Sequence, residues 1–138
     1  METKCCLAFD VGKTNQKYFV FNTENKILKR EKVTIPKVLD EDSHLAENIE
    51  GIITWLKEIF DLIMSSDEFK IDKVSFSGFG ATLVHLDENK KVVTPVYDYH
   101  KPVDENTFKE FYIKYGPESI FSIQTGSINL GMLNSGKQ

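Results

Sequence analysis

Residues 8–21 read AFDVGKTNQKYFVF, and at their centre stands Gly12-Lys13-Thr14, the letters that close a Walker A phosphate loop. That loop needs a glycine five positions ahead of Gly12, where the backbone wraps the phosphates, and it must open a helix whose first amides face the anion. The required position holds Leu7, and the residues after Asn15, QKYFVF, are aromatic and β-branched and predict a strand. Both requirements fail, so the stretch is not a Walker A loop.

What it does contain is an aspartate closing an apolar run, a glycine, hydroxyl and amide residues, and then a cation entering the next strand. In such a strand–turn–strand, Gly12 lets the backbone approach a ligand closely. The segment Gly12, Lys13, Thr14, Asn15 can then turn its amides and the Thr14 hydroxyl toward a terminal phosphate. Asp10 suits a magnesium ion, held through water because that ion dehydrates reluctantly. Lys17 would offset charge on a transferred phosphoryl group. The plainer reading of the same letters is an Asp-Gly hairpin with surface lysines.

Outward from this hairpin, Cys5–Phe9 is a continuous apolar run that predicts a strand buried on both faces. Residues 17–22 and 26–35 predict the next two strands, with Ile27, Val33 and Ile35 on one parity, Thr23-Glu24-Asn25 as the turn and Pro36 as the end. The chain therefore opens as an antiparallel three-strand meander. A helix is predicted from Ser43 to Ser65, capped by Asp42 or Ser43. Leu45, Ile49, Ile52, Ile53, Leu56, Phe60 and Ile63 recur on it at spacings of three and four, and Trp55 and Ile59 widen the stripe. Ile71–Ser77 predicts another strand, ending in Ser77-Gly78-Phe79-Gly80-Ala81-Thr82. A hairpin of Leu83–Leu86 and Lys91–Thr94 follows, then a polar and aromatic loop at Pro95–Pro102. Asp104–Tyr115 predicts a second helix, stopped by Gly116-Pro117, and the tail from Glu118 reads as irregular.

Composition narrows the function classes. The chain has 138 residues, enough for one domain with a real core, and 41% apolar with 28% charged residues is a soluble globular profile. A formal charge of −4 argues against a nucleic-acid binder, which needs a basic face. No apolar run reaches membrane-spanning length and no signal peptide is read, so no membrane partner and a cytoplasmic location are expected. Cys5 and Cys6 are neighbours whose side chains point to opposite faces of a strand, which predicts two buried thiols rather than a disulfide or metal site. The ending at Gly131–Gln138 has no closing element and is expected to be a stopping point within a longer protein.

The order of these elements is that of the ribonuclease-H-like lobe of the actin, hexokinase and Hsp70 superfamily. Within it, the chain resembles the N-terminal lobe of the FGGY carbohydrate kinases, the glycerol, xylulose, rhamnulose and fuculose kinase group. Asp10-x-Gly12-x-Thr14-Asn15-x-Lys17 is similar to that family's first phosphate motif, D-x-G-T-x-S-x-R. Ser77–Thr82, the hairpin after it and Pro95-Val96-Tyr97-Asp98 are similar to its sugar-site segment. The sequence departs from the family at Lys13, where threonine is usual, and at Lys17, where arginine is common. The Gln-x-His-Gly pattern is absent from 77–82, and Tyr97-Asp98-Tyr99-His100-Lys101 is only loosely like Trp-Asn-Asp-x-Arg.

The resemblance implies an α/β lobe whose mixed sheet carries packed helices, with residues 1–138 as a single such lobe of a two-lobe protein. It implies transfer of the ATP γ-phosphoryl group to a sugar or polyol hydroxyl with Mg²⁺, the catalytic carboxylate base lying beyond Gln138 and the chain alone being inactive. Gly80, Ala81 and Thr82 are candidate substrate-wall residues, and Asp98 and His100 are candidate partners of sugar hydroxyls. His44 and His85 read as structural or solvated, and Phe108, Phe111, Tyr112 and Tyr115 as packing. Two alternatives share the fold: a type III pantothenate kinase, whose opening D-I-G-N-T-N is similar to D-V-G-K-T-N, and a sugar-sensing domain that has lost transfer. The sugar, the oligomeric state and the pathway have no signal in the sequence.

Overall fold

A computed structural model describes residues 4–126 of the chain. In order, the elements are β1 (Lys4–Val11), β2 (Gln16–Asn22), β3 (Ile27–Val33), β4 (Val38–Leu39), β5 (Leu45–Glu47), α1 (Ile49–Met64), β6 (Lys70–Gly78), β7 (Val96–Tyr97), α2 (Glu105–Tyr115) and α3 (Glu118–Thr125). They fall into two compact units, one of Met1–Pro36 with Asn48–Gly80, the other of Lys37–Glu47 with Ala81–Gln138.

The first unit is a four-stranded mixed sheet in the order β3-β2-β1-β6. β1–β2–β3 is the antiparallel meander expected from the sequence, and β6 returns parallel to β1 after the α1 crossover. Alternation along β1 and β2 sends Cys5, Leu7, Phe9, Tyr18 and Val20 to one face, where they form the core with Ile63 of α1. Trp55, Leu56 and Ile59 of α1 pack against that cluster, and Trp55 meets Phe9 edge-on with ring centroids 5.6 Å apart. Each fully buried side chain of this size stabilises the fold by about 1.5–3 kcal/mol. Cys5 is buried, whereas Cys6, expected to be buried too, is half-buried on the opposite parity, and neither is in a disulfide. Ile27 and Val33, which the sequence places on one parity, are 43% and 38% exposed, because β3 is the outermost strand of the sheet.

The helix begins later than the periodicity predicts. Asn48, not Asp42 or Ser43, is the cap, its Oδ1 accepting from the Gly51 amide at 2.9 Å. The predicted first turn is instead β5, which pairs antiparallel with both β4 and β7. A long-range strand partner therefore outweighs local helical spacing, and Leu45, counted in the stripe, is 57% exposed.

The second unit holds this small β4-β5-β7 sheet, the loop between residues 81 and 95, and helices α2 and α3. The predicted hairpin is present as a single bridge, Leu86 to Val92. Its tip is fixed by Asp87, whose Oδ1 accepts from the Asn89 and Lys91 amides at 2.8 Å each. Asp104 caps α2 through the Thr107 amide at 2.8 Å, and the Phe108, Phe111, Tyr112 and Tyr115 rings pack on one another. The tail read as irregular from Glu118 forms α3: Pro117 stops α2 and, at the next N-cap, starts another helix. The expectation about Gly131–Gln138 lies outside the described residues.

Candidate functional site

The β1–β2 turn is built around Gly12. Its amide donates to the Asn15 carbonyl at 3.1 Å, and its own carbonyl accepts from Gln16 Nε2 at 3.0 Å. A Cβ at position 12 would stand 2.6 Å from the Asn15 oxygen, so the turn closes this tightly only with glycine. Gln16 is buried, and its Oε1 also accepts from the Ile35 amide at 3.2 Å, tying the turn to the segment that follows β3.

Asp10 and Lys17 are directly opposed in the β1–β2 register, and Lys17 Nζ lies 3.0 Å from Asp10 Oδ2. Both side chains are little more than a third exposed. The parity that sends Phe9 and Tyr18 into the core places Asp10 and Lys17 on the opposite face. On that face the parallel register sets Ser77 beside Asp10, and the Phe79 amide donates to the Val11 carbonyl at 3.1 Å. Two motifs more than sixty residues apart in sequence therefore meet at one end of the sheet. The Asp10 carboxylate, one oxygen of which is engaged by Lys17, stands at a strand end where it could hold a magnesium ion only through that ion's water shell. Thr14 is exposed, and Lys13 and Asn15 are half-buried.

The candidate sugar-site residues stand differently. Gly78 and Gly80 have no positive φ, and a Cβ on either would meet no atom within 4 Å, so the local backbone does not demand glycine there. Ala81 takes φ 62, a left-handed conformation that alanine adopts at some cost. The Thr82 hydroxyl is buried without a hydrogen-bond partner.

Asp98 belongs to an ion-paired cluster of the second unit that the sequence did not suggest. Lys37 Nζ lies 2.5 Å from Asp98 Oδ2 and 2.8 Å from Glu47 Oε1, and both carboxylates are largely buried. The Asp98 Oδ1 accepts from the His100 amide at 2.9 Å and stands 3.3 Å from His100 Nδ1. Lys101 Nζ lies 2.7 Å from both Asp40 and Asp42 and sits over the Tyr97 ring, whose hydroxyl donates to Glu41. Burial works against the charge on Lys101 and Lys37, but the facing carboxylates outweigh it and push both above the ordinary lysine range. Burial likewise opposes the Asp40 charge, and Lys101 with the His44 and Asp42 amides holds that carboxyl below the usual range. Asp40, Asp42 and His44 cluster closely enough to resemble a metal site, but the Lys101 ammonium already occupies the position between the two aspartates. His44 is exposed in the loop before β5, not at a helix start.

Comparison with known proteins converges on one family. The N-terminal domain of the FGGY family of carbohydrate kinases matches over residues 5–128. No significant match was found among curated protein sequences. Among solved structures, a carbohydrate kinase from Novosphingobium aromaticivorans superposes with TM-score 0.78 at 17% identity, covering 96% of this chain and 26% of that one. Xylulose kinase from Lactobacillus acidophilus gives TM-score 0.65 at 20% identity, covering 80% of this chain and 23% of that one. Gluconate kinase from the same organism gives 0.62 at 22% identity, covering 82% and 22%. The chain thus spans about a quarter of the length of the kinases whose fold it shares.

Proposed function

The chain belongs to the FGGY family of carbohydrate kinases, and from that premise we propose that it is the phosphate- and sugar-binding opening of an ATP-dependent sugar or polyol kinase. The observation that carries the reading is the Asp10–Lys17 pair across a turn that only glycine at position 12 can close. It offers a carboxylate, an ammonium and backbone amides within one hairpin, the set a terminal phosphate with its metal requires.

A bound Mg²⁺ would neutralise phosphate charge. Asp10 is the residue to hold that ion through its water shell, and Lys17, released from Asp10, is the cation for the phosphoryl oxygens. Lys13, Thr14 and Asn15 supply the amides and hydroxyl around the phosphate, and Gly12, its own amide bonded to the Asn15 carbonyl, closes the turn that presents them. Gly80, Ala81 and Thr82 form the substrate wall. Asp98 and His100 contribute acceptors and donors for sugar hydroxyls, with Lys37 fixing the Asp98 carboxylate.

The proton-accepting base is assigned to a carboxylate elsewhere in the whole kinase, so the 138-residue chain is expected to bind but not to turn over. Cys5 and Cys6, neighbours in sequence and not in a disulfide, fit a reducing, cytoplasmic setting. Among the described residues, no helix is long and apolar enough to cross a membrane.

Sugar-dependent ATP consumption, assayed on the purified chain with glycerol, D-xylulose, L-rhamnulose, L-fuculose and pantothenate, tests the assignment. No turnover is expected with any of them. Clear turnover would overturn the division of labour proposed here, and pantothenate-dependent turnover would overturn the sugar class as well.

A further inference from the structure

The large sheet has two outer strands, β3 and β6, and they are built in opposite ways. A strand edge presents a row of unpaired N–H and C=O groups, a template for another strand, and soluble proteins blunt such edges with charge, above all lysine. β3 follows that rule, with Lys29, Arg30, Glu31 and Lys32 among its seven residues. β6 does not. Its last five residues, Val74-Ser75-Phe76-Ser77-Gly78, carry no charge and no proline, and all five are exposed. Among the described residues, β1 is the only strand beside it.

The side chains repeat the pattern. The parallel register sets Val74 beside Leu7 and Phe76 beside Phe9, so both lie on the face that carries the core, and Phe76 stacks on Phe9 with ring centroids 5.2 Å apart. Leu7 and Phe9 are 0% and 2% exposed, whereas Val74 and Phe76 are 39% and 65% exposed. The apolar face therefore runs to the edge of the sheet uncovered. The Phe79 amide donates to the Val11 carbonyl at 3.1 Å. By alternation the backbone groups of Ser75 and Ser77 turn toward β1, and those of Val74, Phe76 and Gly78 turn away from it.

Two such edges can pair antiparallel about a two-fold axis in few registers. Centring on Asp72 or Lys73 sets like charges face to face, and centring on Val74 sets Asp72 against Phe76. Centring on Phe76 pairs only residues 74–78. Centring on Ser75 pairs residues 72–78, sets Val74 of each copy against Phe76 of the other and Lys73 against Ser77, and opposes no like charges. This self-complementarity singles out a second copy as the occupant. We propose that β6 is a self-association edge, through which two copies of this chain join antiparallel about Ser75 and merge their four-stranded sheets into one. Val74 and Phe76 then exchange backbone hydrogen bonds across the junction, and the two Ser75 residues form the closely spaced, non-hydrogen-bonded pair at its centre. The pairing is independent of the sugar-kinase reading, since it uses neither the β1–β2 turn nor the second unit.

Sedimentation velocity of the 138-residue chain at roughly 100 µM, which populates even a micromolar complex, is expected to show a dimer. Phe76→Lys puts a lysine on the edge and is expected to weaken the dimer about tenfold or more. Adding Val74→Glu creates two opposite-charge pairs in the Ser75 register alone and is expected to recover most of that loss. Ser75→Cys leaves the apolar pairs intact and serves also where the charged variants do not fold. It is expected to form an intermolecular disulfide under mild oxidation, because residues of a non-hydrogen-bonded pair stand about 4.5 Å apart at Cα. The wild type, with Cys5 and Cys6, and Lys73→Cys are expected not to cross-link.

A monomeric wild-type chain would overturn the proposal and leave the edge to a strand of another polypeptide. A dimer that Phe76→Lys does not weaken, or that Ser75→Cys does not cross-link, would overturn it as well, since the interface would then lie elsewhere. Open-ended association would also overturn it, because pairing about a two-fold axis closes at two copies.

Discussion

In the unit built on β1, β2, β3 and β6, the interior is Cys5, Leu7, Phe9, Tyr18, Val20 and Ile63, a largely apolar cluster between sheet and helix. In the unit that holds β4, β5 and β7, the buried residues among those described are Ala46 and Val96 together with the carboxylates of Asp40 and Glu47. The first is held by area removed from water, the second by charges that neutralise one another across long stretches of chain. Burial of apolar surface is non-directional, whereas a buried charge depends on one particular partner. The first unit should therefore tolerate conservative repacking, and the second should tolerate little change in its ion pairs.

The largest effect is expected from Phe9→Ala, which removes a ring packed on both Trp55 and Phe76. A loss of about 3–5 kcal/mol is anticipated, read by denaturant unfolding followed through the fluorescence of Trp55, the single tryptophan of the chain. Next, Lys101→Met leaves the buried Asp40 carboxylate uncompensated and should cost about 3 kcal/mol. Hydrogen exchange should place that loss at residues 40–47 and 96–101, with the Trp55 transition little changed. Equal movement of both probes would erase the contrast between the units.

Acid sharpens it further. Asp40 lies below its ordinary value of 3.8, so its contribution is present above that pH and is lost as pH falls through the folded value. Hydrogen exchange below about pH 4 should rise in residues 40–47 before the Trp55 environment changes. The alkaline side discriminates less. Lys37 and Lys101 are raised above 10.5 and Tyr18 above 10.0, so both units lose stability as pH climbs beyond those values. The smallest effect is that of Asn48→Ala, which removes the α1 cap and should cost about 1 kcal/mol.

The same contrast explains what could be read from the sequence. Every strand of the large sheet was legible, because alternation and apolar runs are local signals that the sheet then obeys. The β1–β2 hairpin was legible for a chemical reason: an aspartate, a glycine and a lysine at those spacings can face one another only if the chain reverses between them. The second unit was not. Lys37 and Asp98 are 61 residues apart and Lys101 and Asp42 are 59, and no periodicity links such pairs. The start of α1 was misplaced for the same reason, since β5 exists through its partners in β4 and β7. The helix after Pro117 was missed because proline was taken only as a stop.

The central claim is that Asp10, Gly12 and Lys17 frame a magnesium-phosphate hairpin, and amide resonances of the isotopically labelled chain test it most directly. Titration with Mg·ATP should shift the Gly12, Lys13, Thr14 and Asn15 amides, and Asp10→Asn should abolish the magnesium-dependent part of that shift while leaving the core resonances in place. Unmoved resonances across residues 10–17, or an identical response in wild type and Asp10→Asn, would contradict the account.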